Sequence, residues 1–205
     1  MAKAKPQTFL IGSLLYVLLF AGASSEIIKE RDKDNKCGGE ERWKQKVLID
    51  NEANQIDETP EETTIEELSK IDTKLKENRY GEGKPRMEIE KKVYKIKHCF
   101  ITEIIRENDN DLHLVIEDGD KHTMIAEIPD AQCPDALNSQ WVEFFGDVME
   151  TIENHANNYR HFMFTITGVL FVDKSHGQTG KAPNNVEIHP VLEIRVEKKI
   201  NPIKQ

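Results

Sequence analysis

Apolar and polar positions alternate through the C-terminal half of the chain, and the period of that alternation changes once. Val93 to Ile105 sets Tyr94, Ile96, Phe100 and Ile104 on one face with β-branched neighbours on the other, which predicts a long strand. Arg106 to Asp111 turns the chain. Leu112 to Glu117 and Thr123 to Ile128 are two further apolar runs joined through Asp118-Gly119-Asp120, a hairpin signal, and Pro129 ends the second of them. The spacing then becomes helical. Leu137, Trp141, Phe144, Phe145, Val148, Met149 and Ile152 recur every three or four residues, as one buried stripe requires, with Asn138 or Ser139 available to cap its start. His161 to Val172 and Val186 to Val196 predict two more strands, separated by a loop that holds Gly177, Gly180 and Asn184-Asn185.

Three strands, a helix and two strands, in that order, predict a mainly β (α+β) fold: a five-stranded OB-like barrel over residues 91–197, capped by one helix between its third and fourth strands. Five short strands with apolar inner faces remove their edges by closing on one another, and the helix stripe fits an open end. A ferredoxin-like sandwich needs a helix after the first strand, and 106–111 is too short and polar to provide it. Residues 37–90 read as an N-terminal arm. Within it Trp43 to Asp50 predicts a short strand, Thr64-Ile65-Glu66-Glu67 has capping-box spacing for a helix through Leu68 and Ile71, and Lys74 to Arg86 is a turn-rich connection. Residues 198–205 read as a polar tail.

The first residues change the picture from fold to compartment. Lys3 and Lys5 precede an apolar run from Phe9 to Ala21 and the small residues Ala21-Gly22-Ala23, the three parts of a secretory signal peptide over 1–23. Thirteen apolar residues are too few for roughly 30 Å of hydrocarbon, so the expectation is a secreted or periplasmic chain with no membrane span after cleavage. Residues 24–36 are polar, charged and aperiodic, and read as a flexible lead. Such a compartment lets disulfides persist. The spacing of Cys37, Cys99 and Cys133 matches neither a redox C-x-x-C motif nor a zinc ribbon, and the expected bridge is Cys37 to Cys133, both in irregular chain, with Cys99 packed in a strand.

Several segments carry a resemblance. Cys37-Gly38 with Glu41-Arg42-Trp43, Leu112-His113-Leu114-Val115-Ile116, Thr123-Met124-Ile125-Ala126-Glu127-Ile128-Pro129, Thr167-Gly168-Val169, His176 to Asn184 and Glu187-Ile188-His189-Pro190-Val191-Leu192 resemble a family of uncharacterised secreted bacterial proteins. The resemblance spans most of residues 37–196. It implies export and this domain, and brings no catalytic residue with it.

Charge then limits the function classes. Twenty-eight Lys and Arg against 37 Asp and Glu leave a net charge of -9, a field that repels nucleic acid. OB barrels bind through the face of strands two and three and the loops joining strands one to two and four to five. Here the first of those loops carries acids, and strands two and three hold no aromatic platform for bases. Lys91, Lys92, Lys95 and Lys97 along the first strand, with Lys198, Lys199 and Lys204 after the last, read as solvated strand edges. Gly180-Lys181 lacks the leading Gly and the trailing Ser or Thr of a P-loop, and Ser175 beside His176 cannot form a nucleophile–base pair on extended chain.

The expectation is therefore an exported, noncatalytic OB-like binding module for a protein or saccharide surface, without a cofactor. Its candidate contact residues are His176, Gln178, Thr179, Lys181 and Asn184 in the loop 173–185, with His113 and His122 on or beside strands two and three. The alternative is a metal-dependent nuclease or phosphodiesterase of staphylococcal-nuclease-like architecture. It would gather Asp118, Asp120, His122 and Glu117 around a cation, although Ile128-Pro129-Asp130 lacks the Arg and Glu which that resemblance requires.

Overall fold

The structure, a computed structural model, describes residues 29–30, 37–38, 42–73, 83–174 and 177–200. The signal-peptide segment, most of 24–36, residues 74–82 and 201–205, and Ser175 with His176 lie outside them. The described residues include seven strands: β1 (Lys29–Glu30), β2 (Asp57–Thr63), β3 (Lys92–Arg106), β4 (Leu112–Glu117), β5 (Thr123–Ile128), β6 (Phe162–Val172) and β7 (Val186–Lys199). The helices are α1 (Trp43–Lys46), α2 (Ile65–Ser69) and α3 (Val142–His155).

Five strands close into a barrel in the order β3-β4-β5-β7-β6, with β6 returning to β3. β5 and β7 run parallel and the other barrel pairs antiparallel, which is the OB order of strands one, two, three, five and four. The β4–β5 hairpin pairs Leu112 with Ile128 and Glu117 with Thr123, so Leu112, Leu114, Ile116, Met124, Ala126 and Ile128 all point inward. β1 and β2 lie parallel against β3, so the polar lead contributes at least Lys29–Glu30 to the sheet. The polar tail begins later than predicted, since β7 runs on to Lys199.

α3 serves two cores. Its Val148 and Ile152 join the barrel interior, while Phe145 and the preceding Trp141 belong to a second apolar cluster outside the barrel. That cluster gathers Trp43, Val47, Leu48 and Ile56 of the arm with Val93, Val169 and Leu192, outward residues of β3, β6 and β7. The Cys37–Cys133 disulfide, with a Cα separation of 5.3 Å, ties the arm to the chain leading into α3. Cys99 is the free thiol, buried in the barrel interior.

Four local expectations are corrected. Trp43 to Asp50 does not form a strand: Arg42 takes φ 55°, and α1 then puts Trp43 and Val47 one turn apart on the same buried side. The alternation of β3 is interrupted by bulges near Ile96–Cys99 and Ile101–Glu103, which bury Cys99 and Ile101 and leave Phe100 half-buried. α3 begins only at Val142, so Leu137 falls in a separate turn and is 61% exposed, while Phe144 leaves the stripe at 47%. Neither Asn138 nor Ser139 caps α3 itself, although Ser139 Oγ accepts the backbone N–H of Trp141 at 3.2 Å. The capping box at Thr64 and Glu67 forms as predicted.

Candidate functional site

Strands β4, β5 and β7 alternate as barrel strands do, yet their outward positions are not solvated. His113, Glu127, Glu187 and His189 all face outward from the barrel and are all buried, together with Asp111 at the end of the β3–β4 turn. Two coverings make this possible. The described end of the loop between β6 and β7 lies over β4, where Gly180, at φ 77°, sits so close that a Cβ there would lie 2.3 Å from Val115 Cγ1. On the other side Phe171 packs against the His189 ring, and Arg42 and Lys46 of the arm lie over Phe171 at 4.5 and 5.3 Å. Gly168 shapes the backbone nearby: a Cβ on it would come within 2.4 Å of the Pro190 carbonyl, next to the cis His189–Pro190 bond.

Glu127 is the centre of the cluster. Its Oε1 lies 2.9 Å from His113 Nδ1 and its Oε2 lies 2.8 Å from His189 Nδ1. His113 Nε2 faces the Thr179 carbonyl at 3.2 Å, so both of its nitrogens meet acceptors, the pattern of an imidazolium. His189 Nδ1 is also 3.3 Å from Glu187 Oε1, and its Nε2 faces Asp111 Oδ2 at 3.5 Å. Asp111 Oδ1 accepts the backbone N–H of Asp130 at 3.1 Å.

Burial and charge compete over every proton here. Burial opposes ionisation of Glu127, yet hydrogen bonds from His113 and His189 outweigh it and hold the carboxyl well below its ordinary value. Burial likewise opposes the charged form of His189, but Asp111, Glu127 and Glu187 raise it well above the usual imidazole range. His113 is raised too, against burial, chiefly by Glu127. At Asp111 burial wins: it pushes the carboxyl up to about 7, against the His189 contact. Burial and the adjacent Glu127 and Asp173 push Glu187 up to about 7 as well.

A second buried network sits beside it. Arg42 pairs with both oxygens of Glu90 at 2.9 and 2.7 Å, and Glu90 Oε1 also accepts the Val172 N–H at 3.0 Å. Arg86 pairs with Asp50 at 2.6 Å and donates to the carbonyls of Gln45 and Glu90. Both ion pairs lie within the arm, and Arg42 and Glu90 together fasten it to the barrel through the backbone of Val172.

Of the contact residues expected from sequence, His113 and Thr179 meet in the cluster. Gln178 donates to Asp173 Oδ2 at 2.7 Å, and Lys181 reaches Asn185 Oδ1 at 3.0 Å. Asn184 holds the end of α2, donating to the carbonyls of Leu68 and Ile71. His122 is apart, at the β4–β5 tip, with its Nδ1 2.9 Å from Asp118 Oδ2. Asp118 Oδ1 accepts the N–H groups of Asp120 and His122, and Glu117 accepts from Lys121. The Asp118 carboxylate expected to hold a cation thus closes the hairpin turn, while His176 lies outside the described residues. Asp111, Glu127, Glu187 and His189 were not singled out in the sequence. The readable signal was ionisable residues at the outward positions of strands that are otherwise apolar throughout.

No family model matches the chain, and no curated protein matches it. Among solved structures it is similar to an OBody, AM3L09, bound to hen egg-white lysozyme, with 16% identity over 52% of this chain and 80% of that one. The TM-score of 0.29 is too low for that likeness to bear on fold or binding. No helix among the described residues is long and apolar enough to cross a membrane, and the disulfide is consistent with an oxidising, extracellular environment.

Proposed function

We propose that the chain is an exported, noncatalytic OB-like module, akin to the secreted bacterial family it resembles, that docks on a protein or saccharide surface. One observation carries the reading: the face that OB barrels use for ligands is filled by the chain's own loop, and its ionisable groups are spent on one another. Side chains of the cluster are between 0 and 11% exposed, so a substrate carbonyl or phosphate has no path to an acid, base or nucleophile there. The surface left for a partner is the outside of the 173–185 loop, with exposed Thr179 and half-buried Gln178 and Lys181, and the nearby rim.

The phosphodiesterase alternative needs Asp118 and Asp120 open to a cation, and Asp118 is engaged by the hairpin backbone. Incubating the purified chain with nucleic acid and divalent ions decides between the two. No cleavage is expected. Cleavage that EDTA and Asp120→Ala both abolish would overturn the noncatalytic reading. On the positive side, retention on the producing cell's surface or on an immobilised saccharide panel is expected to be saturable, and to weaken in a Gln178→Ala/Thr179→Ala/Lys181→Ala variant.

A further inference from the structure

We propose that the exposed side of α3 and the turn before it form a second docking surface, built to take a basic amphipathic segment of another protein. Among the described residues two large hydrophobic side chains are exposed, Leu137 at 61% and Phe144 at 47%, and both lie on this short stretch of chain. Their spacing reads as part of a buried helical stripe, yet both stand in water. Exposed apolar side chains gathered in one place mark contact sites, whereas those scattered singly do not.

The turn is held in place before any partner arrives. Leu137 N–H donates to the Cys133 carbonyl at 3.0 Å, and Cys133 is fixed by the disulfide to Cys37. A surface that needs no ordering on binding keeps more of its contact energy. Phe144 leans on the Trp141 ring, with centroids 5.6 Å apart. Trp141 is only 7% exposed, and its indole Nε1–H has no acceptor among the described residues. A buried tryptophan ordinarily satisfies that donor, so an acceptor is missing beside Phe144, and a backbone carbonyl of a bound partner would supply it.

Charge selects the occupant. From His122 to Tyr159 the chain has no Lys or Arg. On α3 Glu143, Asp147 and Glu150 follow one another at four- and three-residue spacing, so their exposed carboxylates form one column beside Phe144. Among the described residues none of the three is in an ion pair. Asp135 adds an exposed carboxylate two residues before Leu137. Like charges at this spacing oppose the helix, and the helix dipole favours an acid only at Glu143, in the first turn. The chain thus keeps a column of acids that its own fold does not use. Nucleic acid and anionic lipid are repelled by it, and a second copy would bring the same acids. A segment with Lys or Arg on one side and apolar side chains on the other meets both halves of the surface, its apolar side chains on Leu137 and Phe144 and its cations on the column. None of the residues of the loop 173–185 takes part.

The test uses the purified chain with its disulfide intact and a fluorescently labelled peptide of Leu and Lys with Leu at three- and four-residue spacing, followed by anisotropy, against a peptide of equal charge with Gln in place of Leu. One peptide per chain is expected, bound at least about 10-fold more tightly than the Gln peptide. Leu137→Ser/Phe144→Ser and Glu143→Gln/Asp147→Asn/Glu150→Gln are each expected to weaken it at least about 10-fold. Glu58→Gln/Glu61→Gln/Glu62→Gln, which removes as much charge from β2, is expected to change it less than about 2-fold, and Gln178→Ala/Thr179→Ala/Lys181→Ala likewise. One of the two tryptophan indole N–H resonances is expected to shift in the proton NMR spectrum as the peptide is added. Absence of saturable binding, equal affinity for the Gln peptide, two unmoved indole resonances, full affinity in either α3 variant, a matching loss in the β2 or loop variant, or a dimer that Leu137→Ser/Phe144→Ser dissolves would each overturn the surface. The first three of these use the wild-type chain, so no variant need fold.

Discussion

The two faces of β4, β5 and β7 are equally dry and chemically opposite. Inward, Leu114, Ile116, Ala126 and Ile188 fill the barrel with apolar side chains; outward, His113, Glu127, Glu187 and His189 are buried among one another. The interior is stable through removal of apolar area from water and tolerates one hydrophobe for another of similar volume. The outer face is stable only while every charge keeps its partner, because a buried charge left alone is far costlier than a missing methylene. One face is held by shape and the other by stoichiometry of charge.

The sharpest way to break this contrast is to remove the hub of the charged face. Glu127→Ala strands two imidazoles and is expected to lower unfolding free energy by about 3–5 kcal/mol, measured by urea denaturation in chelator at neutral pH. The exposed Glu62, paired with Lys97, should cost less than about 1 kcal/mol on the same change. If the two variants are alike, the outer face is not the buried charge network described above.

Next in size is the disulfide. It closes 96 residues of chain, and Cys37→Ser/Cys133→Ser should cost about 2–5 kcal/mol. Both tryptophans, Trp43 and Trp141, lie in the outer apolar cluster, whereas Cys99 lies in the barrel and burial pushes its thiol up to about 12. Tryptophan fluorescence therefore reports the arm, and alkylation of Cys99 reports the barrel. In the double variant the fluorescence transition is expected to move to lower urea than the onset of labelling; coincident transitions would mean that arm and barrel unfold as one.

Smaller effects separate the arm's own parts. Thr64→Ala removes the capping box of α2 and should cost about 1 kcal/mol by the same assay. The Glu52 carboxyl is held below its ordinary value of 4.5 by the backbone N–H of Arg86 and by Lys91. A depressed carboxyl contributes stability above its ordinary value and loses it as pH falls through the lower folded value. Glu52→Gln should therefore lower the neutral plateau modestly and flatten the acid limb, its stability converging with that of the wild type well below pH 4.5, as followed by urea midpoints against pH.

The barrel was legible in the sequence because its signal is periodic. The spans of β4 and β5 and the helix between the third and fourth barrel strands follow from alternation and from helical spacing, each a local property. Cys37–Cys133 followed from the irregular chain around both residues. The cluster was not legible, since alternation says which face a side chain takes and not whether a loop later covers that face. His113 and Glu127 sit directly opposite in the β4–β5 register, but their meeting with His189 depends on β7 pairing parallel to β5, a contact more than sixty residues away. Three short segments far apart in the chain supply these side chains: Leu112–Ile116 gives His113, Thr123–Pro129 gives Glu127, and Glu187–Leu192 gives Glu187 and His189. The strand expected at Trp43 failed for a related reason, because tertiary contact with Phe171 and Glu90 rewards the helical turn that presents Arg42 and Lys46.

β2 settles a last matter, how one molecule meets another. Lying outermost on β3, it displays Asp57, Glu58, Glu61 and Glu62, all exposed, around Pro60, which has no N–H to offer. A second copy approaching in register would set carboxylate against carboxylate across a ribbon already short of a donor. Crowded together at neutral pH, these molecules should slide past each other instead of stacking into fibrils.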